Sequence, residues 1–135
     1  MLLTAERKGG EIPMNLTRIA HHQHPRPPHH ELRQKTVLDS GVRSTGSVDN
    51  LYVDDDMNLQ FVDVATSGFL GLGKKHHLVP VEAIAEEGLG SITLTVAQQT
   101  VESAPTLSDP HAAPDEDIQR AAREHCGLAA VSSEP

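Results

Sequence analysis

Apolar and polar residues alternate through the middle of this chain. Ser91-Ile92-Thr93-Leu94-Thr95-Val96 places Ile92, Leu94 and Val96 on one side of an extended segment. That period of two marks a half-buried strand. The same pattern predicts strands at Thr36–Leu38, closed by Asp39-Ser40-Gly41, then at Val42–Val53, Met57–Thr66 and His76–Val79. Gly46 marks a bulge or a close approach of backbones in the second strand. Asp54-Asp55-Asp56 and Glu86-Glu87-Gly88-Leu89-Gly90 are turns, and Ser67–Lys75 is a loop. In Met57–Thr66 the pattern changes parity: Met57, Leu59 and Phe61 share one face, Val62 and Val64 the other. Such a change predicts a bulge or burial on both faces. Val81–Ile84 is a further short piece, and Ala97–Glu102 a short helical turn. Several short strands with glycine-rich turns predict a small barrel or sandwich.

The two ends read differently. Residues 1–34 are polar, and His21 to His30 holds three prolines, which exclude a helix. They are expected to be a disordered arm, extended where proline dominates. Lys8-Gly9-Gly10-Glu11 can be encoded by a purine-rich stretch just upstream of Met14, so Met14 is an expected initiator. Residues 35–105 are the expected domain, 106–114 a linker and 128–135 a disordered tail. Between linker and tail, residues 115–127 predict a helix. Asp115 is its N-cap, Glu116 and Asp117 suit the dipole, and Gly127 is the stop. Its apolar stripe is Ile118, Ala121, Ala122 and His125, too narrow to hold three turns without docking.

Composition narrows the function. Hydrophobic residues make up 37% of the chain, the shortfall lying at its ends. A core of about 65–70 residues is small and gains from a partner subunit or a docked helix. The net charge of −8, from nineteen acidic and eleven basic residues, disfavours direct nucleic-acid binding. Tyr52, Phe61 and Phe69 are the only aromatics, too few for a base-stacking platform. Cys126 is the single cysteine, so no internal disulfide forms, which fits a reducing cytoplasm. No apolar run approaches the roughly 20 residues of a membrane span or the core of a signal peptide.

The order of several motifs resembles the PRC-barrel family. These are Gly46-Ser47-Val48-Asp49-Asn50-Leu51-Tyr52-Val53-Asp54, Phe61-Val62-Asp63-Val64, Gly68-Phe69-Leu70-Gly71-Leu72-Gly73, His77-Leu78-Val79-Pro80-Val81-Glu82-Ala83-Ile84 and Ala104-Pro105. The resemblance covers about half the chain. The family includes the cytoplasmic domain of the photosynthetic reaction-centre H subunit, a domain of a ribosome-maturation factor and small stand-alone bacterial and archaeal proteins. It implies an all-β fold: a small antiparallel PRC-type β-barrel followed by a C-terminal α-helix. Residues 1–34 hold neither the membrane helix of the first relative nor the extra β domain of the second. The resemblance therefore implies the stand-alone type, a non-enzymatic protein-interaction or assembly module acting as a homodimer or with a protein partner. It transfers no catalytic residues and no cofactor.

Gly68-x-x-Gly71-x-Gly73 has neither the order of a dinucleotide fingerprint nor the Lys-Ser/Thr of a phosphate loop. Phe69, Leu70 and Leu72 either cap the barrel end or form a contact patch, with Ile118, Ala121 and Ala122 as a second interaction surface. Asp54, Asp56 and Asn58 imitate a calcium loop, but Leu59 replaces its glycine and Ala65 its terminal glutamate. His21, His22, His24, His29 and His30 offer imidazoles for loose zinc or nickel binding, the basis of an alternative metal-buffering or metal-sensing role. His76 and His77, as strand neighbours, should point to opposite faces and not chelate as a pair. Cys126 beside His125 does not make a catalytic pair, since adjacent helical residues point about 100° apart. A ribosome-associated role remains by analogy with the maturation factor, against the acidic balance.

Overall fold

The computed structural model describes residues 15–20, 22–67 and 73–128. Its two longest strands are β3 (Ser44–Val53) and β4 (Leu59–Ser67), which follow β1 (Thr17–Arg18) and β2 (Thr36–Leu38). Then come β5 (Lys74–Pro80), a 3-10 turn (Val81–Ala83), β6 (Ile84–Glu87), β7 (Ser91–Leu94), α1 (Gln98–Glu102) and α2 (Glu116–His125). The seven strands form one sheet in the order β5-β4-β3-β2-β7-β6, with β1 beside β3. β1 and β2 share one edge of β3: β2 pairs with Ser44, Gly46 and Ser47, and β1 with Tyr52 and Val53. The path is open, because its end strands β5 and β6 are joined by the 3-10 turn and do not pair. The sheet is also mixed, not wholly antiparallel as the resemblance implies. β7 returns beside β2 in the same direction, with Val37 opposite Ile92.

At Gly46 the backbone of β3 passes close against β4. A Cβ there would stand 2.5 Å from the carbonyl oxygen of Ala65, a distance no side chain tolerates. Two bulges follow in the β3–β4 ladder. Val48 faces Val64 and Leu51 faces Val62, so Asp49 and Asn50 together oppose Asp63. Lower down, Tyr52 faces Phe61 and Val53 faces Leu59, which leaves Gln60 as an extra residue in β4. The second bulge corrects the face assignment made from the sequence. Leu59 packs with Val62 and Val64 in the main core, while Phe61 turns to the other side.

That main core also takes Val37, Val48, Leu51, Val53, Val79, Ile92, Leu94 and Val101. On the opposite face, Tyr52, Phe61 and Leu78 pack with Leu107, Ile118 and Ala122. α2 therefore docks on its own chain. Asp115 caps it by accepting from the Ile118 amide at 2.9 Å. The Arg123–Glu82 ion pair at 3.0 Å pins its side.

Two segments are more ordered than their composition predicts. Residues 15–20 and 22–34 lie on the sheet and not as a free arm. Ile19 and Leu32 enter the main core. Arg33 holds the backbone in place, donating to the carbonyls of Gln23, Ile19 and Ala20. The Arg26 amide and side chain bond Met57 and Asp56 in the β3–β4 turn. Residues 106–114 are likewise attached: Thr106 bridges His77, Leu107 donates its amide to His76, and Pro110 accepts the Tyr52 hydroxyl at 2.6 Å. No helix among the described residues is long and apolar enough to cross a membrane.

Candidate functional site

The bulge in β3 and the period of two in β4 and β5 bring four polar side chains to the face that carries Phe61 and Leu78. Asp63 is at their centre. It comes from β4 and is 0% exposed. Asn50 donates its side-chain amide to Asp63 Oδ2 at 2.8 Å. The Nδ1 of His76, on β5, lies 2.8 Å from the same oxygen and 3.0 Å from Oδ1. Asp49 adds a second carboxylate, its Oδ2 at 3.6 Å from His76 Nδ1. Its side chain is 44% exposed, so the cluster opens to solvent on that side. Behind it, Arg18 on β1 donates Nε to Asn50 Oδ1 at 2.8 Å, which fixes the amide that holds Asp63.

Burial pushes the Asp63 carboxyl above the ordinary carboxylate range, and the charge of Asp49 adds to the shift. The hydrogen bonds from Asn50 and His76 oppose it. Among the described residues, His76 is the one basic side chain paired with Asp63. Burial, and after it the charge of the same carboxylate, drives the Tyr52 hydroxyl upward. Chemically, the cluster offers two carboxylates and an imidazole whose ligand atoms all lie within 4.8 Å of one another.

The residues singled out from the sequence fall elsewhere. Phe69, Leu70 and Leu72 lie outside the described residues, as does His21. The structure does not gather the other arm histidines. His24 Nδ1 bonds the His30 carbonyl at 3.0 Å, His29 pairs with Glu87, and His22 is exposed. Ala122 is buried and Ile118 half-buried under α2, so this part of the stripe is spent on the chain's own sheet; Ala121 is exposed. His77 turns into the protein and donates Nδ1 to Ala104. Cys126 is half-buried, and burial raises its thiol pKa, which works against a nucleophile. A polar groove of about 440 Å³, lined by Thr45, Ser47, Thr66, Lys74 and Glu102, lies between the sheet and α1.

Asp39 is a second buried carboxylate, with a structural task. Its Oδ1 accepts from the amides of Gly41 and Arg43, and its Oδ2 from Gln98. This ties the β2–β3 turn to the start of α1. Those bonds, the Arg43 amide first, hold its pKa below the ordinary value.

No family model and no curated protein matches the chain.

Proposed function

We propose that this chain is a PRC-type, non-enzymatic assembly module that works by associating with its own copy or with a protein partner. The observation that carries this reading is the β4–β5 ladder. It runs in unbroken antiparallel register from Phe61 opposite Pro80 to Ser67 opposite Lys74, both exposed at the open end. A stiff hairpin thus leads into the segment 68–72, whose sequence holds Phe69, Leu70 and Leu72. The main core supports the barrel reading: it draws residues from β2, β3, β4, β5, the 3-10 turn, β7 and α1 around one interior. With α2 docked in cis, Phe69, Leu70 and Leu72 are the residues proposed for contact.

The test is light scattering after size exclusion of the full chain and of a Leu70→Ser, Leu72→Ser double variant. The wild type is expected to self-associate, or to retain a partner, and the variant to lose this while keeping the same circular dichroism. An unchanged mass and unchanged partner retention in the variant would refute the contact.

A further inference from the structure

A buried carboxylate needs a counter-charge, and the one offered to Asp63 is an imidazole shared between two carboxylates. Its Nδ1 faces both oxygens of Asp63 and one of Asp49, at 2.8, 3.0 and 3.6 Å. A divalent cation would serve both carboxylates and the imidazole, whose ligand atoms all lie within 4.8 Å of one another. The spacing suits one: bonds of 2.0–2.2 Å in a tetrahedral site put neighbouring ligand atoms about 3.4 Å apart. Opening the 2.8 and 3.0 Å contacts of His76 with Asp63 to that spacing needs about half an ångström of movement. The support around the ligands has the form that metal sites require, in which outer groups orient inner ones. Asn50 holds Asp63 Oδ2 and is itself held by Arg18. The open side at Asp49 leaves room for water as a further ligand.

We propose that Asp49, Asp63 and His76 form a site for a divalent transition-metal cation of the zinc class. The mixture of carboxylate oxygen and imidazole nitrogen fits zinc or manganese better than calcium, which takes oxygen ligands alone. This site stands apart from the association proposed above and from the histidines of residues 21–30.

Thermal unfolding of the full chain with and without zinc chloride separates the site from the arm. The three ligands come from three strands and converge only in the folded chain, so zinc there must raise Tm. At a hundredfold excess over Kd the rise should be about 10 °C. Histidines close in sequence bind folded and unfolded chains alike and contribute little to such a shift. Asp63→Asn keeps the shape and the Asn50 bond, and should fold while losing the zinc-dependent rise. His76→Ala should lose it too. Asp49→Asn, at a half-exposed position where misfolding is not an issue, should weaken zinc at least tenfold. A wild-type Tm indifferent to zinc, or an equal rise in wild type and Asp49→Asn, would overturn the assignment.

Discussion

Leu32→Ala tests whether the N-terminal segment belongs to the folded unit. Leu32 follows the His/Pro-rich tract, yet it is 0% exposed and packs in the main core. Truncating a fully buried leucine to alanine costs about 2–5 kcal/mol, through lost transfer energy and the cavity left behind. A small domain holds only about 5–15 kcal/mol in total. The expected result is a drop in Tm of roughly 10 °C or more. Leu89→Ala supplies the control, with the same change of chemistry at a residue that is 102% exposed in the β6–β7 turn. Surface changes of that kind stay within about 0.5 kcal/mol. Differential scanning calorimetry of both variants beside the wild type decides the matter. If Leu32→Ala melts with Leu89→Ala, residues 15–34 are not part of the core. On the present structure, deleting residues 1–34 would strip Ile19 and Leu32 from the interior and leave a destabilised remainder, not an intact domain.

Two further outcomes are expected. Gly46→Ala drives a methyl group against the Ala65 carbonyl and should destabilise the chain by roughly 1–3 kcal/mol in a urea titration, through strain in the β3–β4 crossing. Asp39 has a folded pKa below its unfolded value, so its contribution is present above the ordinary carboxylate pKa and fades as pH falls through the depressed one. Asp39→Asn should therefore lose stability at neutral pH and show a flatter acid limb, measured as urea midpoints from about pH 2 to 7; parallel limbs for both proteins would refute the role of those three backbone amides.

Much of the sheet was legible in the chain because each strand carries its own signal. Thr36–Leu38 and Ser91–Leu94 alternate, and the acidic turn at Asp54–Asp56 separates β3 from β4. α2 was legible from Asp115 at one end and Gly127, with φ +77°, at the other. What local pattern cannot express is direction and partner. The parallel β2–β7 pair joins two short strands distant in sequence, and nothing in either one says which way the other runs. Ile19 and Leu32 were hidden for another reason. Single apolar residues in a polar, proline-rich tract show no period, although the main core takes both of them in.

The Asp49–Asp63–His76 cluster was invisible for a related reason. His76 was legible as a strand residue facing away from His77, and Asp63 as a polar residue between Val62 and Val64. Neither fact brings them together. The pairing of β4 with β5 sets Asp63 opposite Leu78 and Ala65 opposite His76, so His76 reaches Asp63 along a diagonal on the same face. Asp49 joins them only because β3 carries one residue more than β4 between two paired positions. A regular ladder would place Asp49 or Asn50 opposite Asp63, but not both. The irregularity costs ladder hydrogen bonds, and in exchange it sets an acceptor and a donor beside one buried carboxylate. Removing one residue at that bulge would restore a regular ladder and leave a single side chain facing Asp63. The chemistry of this face therefore lies in the register of three strands and not in any motif along one of them.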